Sequence, residues 1–210
     1  MAYLKEHTGR SLKTSKVSLI ERYICEKIDE NQDIRRLCRY MTLDPTEMIA
    51  LDYDNNVVEQ PDLKDSLTKP IKHDKVSSGC EERIIIPLMF NGEVVESLHP
   101  YIYVYCDQIS FATEREGVSA IGSLFFTIDI VYDMATEELA DWTRRSWAIA
   151  GIIMDLFDEV VITDPEYAEQ VGNLKFMLSS NNIRNIKIPP NTSMGVLTIP
   201  FVVATHGGRY

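Results

Sequence analysis

An α+β domain with a mainly antiparallel sheet of four to six strands, covered by a long helix, is the architecture this sequence predicts. Three observations carry that expectation. Apolar residues recur at helical spacing from Val17 to Met41, alternating strand patterns follow from Arg83 to Asp133, and a second helical stripe precedes further strand-like runs near the end. The chain has 210 residues, 45% of them apolar and 25% charged, a length and composition at which one core can serve a single domain. That domain is expected over residues 17–205, between a basic arm at 1–16 and a flexible tail at 206–210.

The first helix is expected to start at Ser18, with Glu21 completing a capping box. Val17, Ile20, Ile24 and Ile28 then line one face, which Leu19 and Tyr23 widen. A shorter helix follows, with Ile34, Leu37, Cys38 and Met41 facing inward and Arg35, Arg36 and Arg39 in solvent. From Thr42 to Glu82 the periodicity dissolves among turn formers and the prolines Pro45, Pro61 and Pro70. A connection of that length is unusual in a compact domain, and it reads as an interaction arm that orders on assembly.

Strand signals take over at Arg83–Phe90, and Asn91-Gly92 is a tight-turn dipeptide. Tyr101–Tyr105 and Gly122–Asp133 alternate, the second with Phe126, Ile128, Ile130 and Tyr132 on one side, as expected of a sheet with one covered face. Thr136 is expected to cap the covering helix, with Glu137 and Glu138 in its first turn and Leu139, Trp142, Trp147, Ala150, Ile153, Met154 and Phe157 along its stripe. Gly151 inside that helix implies close packing by a neighbour. Asn173–Ser179 and Val196–Ala204 close the chain as strands, with a short one near Ile186–Ile188. Pro200 places the last strand near an edge or a bulge.

No stretch reaches the roughly 18 to 20 apolar residues needed to span a bilayer. The N-terminal residues lack the apolar core of a secretory signal, so no membrane association and no export are expected. Cys25, Cys38, Cys80 and Cys106 show neither CxxC pairing nor His at ligand spacing, and free thiols are expected rather than zinc. Residues 1–16 hold four basic side chains against one acidic, whereas residues 81–210 hold eight against eighteen. So acidic a body disfavours a nucleic-acid-binding face.

Catalytic, metal and cofactor residues are all expected to be none. Gly117-Val118-Ser119-Ala120-Ile121-Gly122 lacks the GxSxG spacing of a nucleophile elbow and reads as a flexible loop. His7, His73, His99 and His206 are scattered and read as solvated. The phosphate-loop, dinucleotide and zincin motifs do not occur. The acidic group Asp155, Asp158, Glu159, Asp164, Glu166 and Glu169 does not follow a calcium-loop pattern and reads as surface. Trp142 and Trp147 beside Arg144 and Arg145 could form a base-stacking platform, but their spacing favours Trp142 as core.

The order of elements resembles the tail-terminator and tail-completion proteins of tailed bacteriophages. In this sequence the matching roles fall to residues 17–41, 83–133, 136–159 and 173–205. Four phrases also look like phage neck proteins: QPDLKDSL at 60–67, IIIPLMFNGEVVE at 84–96, YIYVY at 101–105 and AIAGIIMDLFDE at 148–159. The resemblance implies a structural virion protein, assembled in the host cytoplasm into a ring, commonly of six copies. Its implied partners are further copies of itself, a tail tube protein, and a neck, head-completion or portal protein. DNA would pass through the lumen without sequence-specific binding, and Asp155, Asp158 and Glu159 are the candidates for a wall that repels phosphate. Another neck connector, or a small binding or chaperone-like module, is the alternative; an enzyme with a site assembled from distant residues ranks last.

Overall fold

A computed structural model describes residues 10–68, 83–87, 99–113, 119–171, 174–179, 183–187 and 193–205, and all structural statements concern these. The Asn91-Gly92 turn, Cys80, His7, His73, His206 and the 206–210 tail lie outside them.

Helix α1 runs Arg10–Glu30, starting eight residues before Ser18. Ser18 is therefore an exposed interior position, and Glu21 accepts a hydrogen bond from the Cys106 amide at 3.1 Å instead of closing a capping box. The expected stripe holds, with Ile20, Ile24 and Ile28 buried. Asn31 then breaks the chain and caps α2, Gln32–Arg39, by accepting from the Ile34 amide at 3.0 Å. Ile34, Leu37 and Cys38 face the core as expected, but Arg36 is buried too. Arg36 is not solvated, because it donates to the Thr46 carbonyl and, at 2.7 Å, to Asp62.

Part of the stretch read as an unpatterned arm folds as a hairpin of β1, Ile49–Leu51, and β2, Val57–Glu59. β3 is only Ile85–Ile86 and runs parallel to β4, Tyr101–Thr113. β5, Ser119–Asp133, pairs antiparallel with β4 from Tyr101↔Val131 to Thr113↔Ser119. Ser119 thus begins a strand, where a flexible loop was expected.

A 3-10 turn, Met134–Thr136, follows, capped by Asp133, which accepts from the Ala135 amide at 2.8 Å. The next helix, α3, is Arg145–Phe157, so Thr136 does not cap it and it is shorter than expected. The chain reverses once first, in a turn at 139–143 where Trp142 has φ 67° and Asp141 accepts from the Thr143 amide at 2.9 Å. That side-chain bond competes with helical hydrogen bonding and delays the helix. Among the described residues nothing lies within 4 Å of a Cβ built on Gly151, so the close neighbour expected there is not among them.

The chain ends with α4, Pro165–Val171, then β6, Leu174–Leu178, β7, Arg184–Lys187, and β8, Met194–Thr205. Six strands form a mixed, mainly antiparallel sheet in the order β3, β4, β5, β8, β6, with β7 also paired to β8. β8 is therefore internal, which overturns the edge position inferred from Pro200. The proline is tolerated because it sits between the β7 pairing, which reaches Thr198, and the β6 pairing, which begins at Phe201. Its carbonyl accepts from Ser179 at 2.9 Å, so its missing N–H points to the same seam and removes no bond to β5.

α1 touches β3 and β4, whereas α3 touches β5, β6 and β8. Ile102, Val104, Phe126, Ile128, Ile130, Leu197, Ile199 and Phe201 join the helices in one core. An aromatic chain ties four of these elements together: Tyr23 stacks on Phe176 at 6.0 Å, Phe176 meets Phe157 at 5.3 Å, and Phe157 meets Phe201 at 6.0 Å. Each fully buried aromatic contributes about 1.5–3 kcal/mol through burial. Gly195 has a steric role: a Cβ there would lie 2.5 Å from the Tyr132 ring, which crosses it so that the Tyr132 hydroxyl can donate to Asn185 at 2.7 Å. That contact fastens β7 to the sheet.

Candidate functional site: the acidic hairpin and its anchors

The hairpin turn is built by Asp52. Its carboxylate accepts from the amides of Asp54 at 2.9 Å and Asn56 at 2.8 Å, and from the Asn56 side chain, while Asn55 takes φ 62°. The Asn56 contacts hold the Asp52 pKa below the usual carboxylate value. On the body side, fully buried Gln60 donates to the carbonyls of Asp44 at 2.8 Å and Glu47 at 2.9 Å and accepts from Thr42.

Deeper anchoring comes from Arg145, the first residue of α3, which is fully buried. It donates to four main-chain carbonyls: Thr136 at 2.8 Å, Leu37 at 2.8 Å, Tyr40 at 2.9 Å and Thr42 at 2.8 Å. Leu37 and Tyr40 lie at the C-terminal end of α2, where unpaired carbonyls favour a cation. Burial lowers the Arg145 pKa from its ordinary value. Next to it the Glu137 carboxylate accepts from the Ser146 amide at 2.9 Å and from its hydroxyl, and so caps α3 from nine residues away. Burial raises the Glu137 pKa, against the pull of those bonds.

Past Leu67 the same logic applies. Asp29 accepts from the Leu67 amide at 2.7 Å and the Ser66 hydroxyl at 2.5 Å, and Gln32 both donates to and accepts from Leu63. The inner side of residues 42–68 is thus held by polar side chains.

The outer side differs. Antiparallel register puts Ala50 opposite Val58 on the face toward the body, and Leu51 opposite Val57 on the other. Ile49 is 65% exposed, Val57 71% and Leu51 41%, with Met48 and Tyr53 exposed beside them. Residues 44–62 carry six carboxylates, on Asp44, Glu47, Asp52, Asp54, Glu59 and Asp62, and no Lys or Arg. Trp142, 86% exposed, stands on the turn joined to this region through the Ala140 amide, which donates to the Leu43 carbonyl at 2.9 Å. Trp142 is therefore not core, and Arg145, turned inward, cannot join it in a stacking platform. A groove of about 350 Å³ lies beneath it between Tyr132, Met134 and Arg144. The one shifted carboxylate there, Glu137, is already committed to the α3 cap.

The acidic group spreads out in space rather than converging. Asp155 is exposed on α3, and Asp158 accepts from the Leu178 amide at 2.9 Å. Glu159, at φ 62°, pairs with Lys175. Asp164 accepts from the Glu166 amide at 3.1 Å, and Glu166 lies 3.9 Å from Arg22. Among the described residues no three His, Cys, Asp or Glu side chains are grouped to hold a metal. His99 is half-buried, its Nδ1 lying 3.1 Å from the Cys38 carbonyl, where a solvated ring was expected. Cys25, Cys38 and Cys106 are free thiols; burial pushes the first two up to about 12 and Cys106 to about 11, which leaves them protonated and poor nucleophiles at neutral pH. No helix of the described residues is long and apolar enough to cross a membrane. No protein-family model matches the chain, and no curated protein matches it.

The hairpin is the site that sequence reasoning missed. Its signal was the run Asp52-Tyr53-Asp54-Asn55-Asn56, a cluster of turn formers between Met48–Leu51 and Val57–Glu59, each too short to register as a strand.

Proposed function

We propose that the chain is a structural subunit of a tailed-phage virion, which assembles with copies of itself into a ring that ends the tail tube and joins it to the neck or portal. The observation that supports this most directly is the hairpin. It displays Ile49, Leu51 and Val57 to solvent on a segment held rigidly from behind, and clustered exposed apolar side chains of this kind mark protein contacts. The acidic body fits the same role, since it would let a duplex slide past without binding. In this reading the subunit works through its surfaces and has no catalytic part.

The acidic end of α3 forms the channel wall in this proposal. Asp155, which is exposed, faces the passing DNA, whereas Asp158 and Glu159 hold the turn after α3 through Leu178 and Lys175. The experiment is sedimentation and electron microscopy of the purified chain, alone and with a tail-tube protein. Closed rings with carboxylates at the channel wall are expected. A chain that remains monomeric under both conditions overturns the ring, and rings whose channel is lined by Lys and Arg overturn the assigned wall.

A further inference from the structure

The ring reading leaves open what the hairpin touches, and the charge distribution supplies an answer that rests on that reading. The outward face of the hairpin is apolar at its centre and anionic around it. Two hairpins meeting face to face would repel, because each carries the six carboxylates of residues 44–62, of which, among the described residues, only Asp62 has a cation beside it, Arg36. The complement must be apolar and cationic.

One strand edge of the described residues has that character. β7 exposes Arg184 and, at 53%, Ile186, and its sequence Arg184-Asn185-Ile186-Lys187 carries two cations and no carboxylate. Its one pairing is to β8, so among the described residues its outer side meets no strand. The other candidates fail on charge: the Lys175 of β6 is already paired with Glu159, and β3 is two isoleucines without a cation. β7 is also tied to β5, through the Tyr132 hydroxyl that donates to Asn185. Cations on an edge strand discourage indiscriminate strand pairing, and the same charges select an acidic partner.

We propose that the β1–β2 hairpin of one copy docks along β7 of a second copy. Ile49 and Val57 cover Ile186, and the hairpin carboxylates face Arg184. The contact joins two different patches, so every subunit offers one hairpin and one edge, and repetition closes a ring or extends a filament.

Charge reversal tests this away from the core, since Arg184, Asp54 and Glu59 are exposed. One chain carries Arg184→Glu with Lys187→Glu, the other Asp54→Lys with Glu59→Lys, and circular dichroism verifies that both fold. Each alone should self-associate about tenfold or more weakly than the unmodified chain, and mixing the two should restore association. In parallel, chains bearing Val57→Cys are mixed with chains bearing Ile186→Cys under mild oxidation. A mixed disulfide dimer, which the unmodified chain does not give, is expected. Rings that survive either reversal, with no mixed disulfide, overturn this contact and leave the ring reading standing. Mixed association and disulfide without closed rings support the contact and remove the ring. A chain that neither associates nor cross-links overturns both.

Discussion

Where the sheet meets its helices, the buried residues include Ile102, Val104, Phe126, Ile128, Ile130, Leu197, Ile199, Phe201 and Val203, all aliphatic or aromatic, while buried Thr127 and Asp129 alternate with them along β5. Between Thr42 and Thr68 the buried residues are Thr42, Pro45, Ala50, Gln60 and Leu67, and two of the five are polar. The sheet is ordered by apolar area removed from water, whereas the arm is ordered by polar side chains that satisfy main-chain groups with no ladder to join. These two modes respond differently to mutation. A sheet residue loses stability in proportion to the apolar volume removed, but an anchor in the arm, once lost, leaves several carbonyls unpaired together.

The largest effect should come from Arg145, where the arm, α2 and α3 converge on one side chain. Arg145→Met leaves the carbonyls of Leu37, Tyr40, Thr42 and Thr136 without this donor, and the expected loss in urea-induced unfolding is about 3–5 kcal/mol. Arg145→Lys should recover only a small part, since one ammonium cannot reproduce donors spread over Nε, Nη1 and Nη2. If the Met variant loses under about 1 kcal/mol, the arm is held by its few apolar contacts, and the contrast with the sheet disappears.

A smaller and more local effect is expected at Gln60. Gln60→Leu fits the buried space but unpairs the Asp44 and Glu47 carbonyls and the Thr42 hydroxyl, at a cost of about 1–3 kcal/mol. Because the hairpin has few contacts with the sheet, hydrogen exchange should accelerate over residues 49–59 and stay unchanged in β5 and β8. Equal acceleration in both regions would show that the arm and the sheet open as one unit.

The same difference explains what could be read from the chain beforehand. α1, α2, β4, β5 and β8 announced themselves through period, because burial on one face imposes period on composition. The hairpin and its anchors carry no period: Gln60, Asp29 and Arg145 act on main-chain atoms 9 to 108 positions away, and such pairings leave no local trace. The start of α3 misled for a related reason. Thr136-Glu137-Glu138 is a true capping composition, but Glu137 uses its carboxylate on Ser146 across the intervening turn, and Trp142 was read into a stripe that begins only after it. The carboxylates at Asp158 and Glu159 were legible as acidic surface, while their bonds to Leu178 and Lys175 became visible only when α3 and β6 met in space.

Gly151 gives the smallest effect, and one of opposite sign. A glycine inside a helix loses more backbone freedom on folding than alanine, and it survives most readily where a neighbour excludes a side chain. Here no atom of the described residues approaches within 4 Å of the position a Cβ would take, and the residue lies in the middle of α3. Within the folded subunit, then, only the conformational term remains. Gly151→Ala should raise stability by about 0.4–1 kcal/mol, seen as a higher urea midpoint at unchanged slope. A loss of stability instead would mean that α3 packs more tightly at this point than its described neighbours do. A gain in stability accompanied by loss of self-association would place Gly151 in a contact between copies, on α3 rather than on the hairpin.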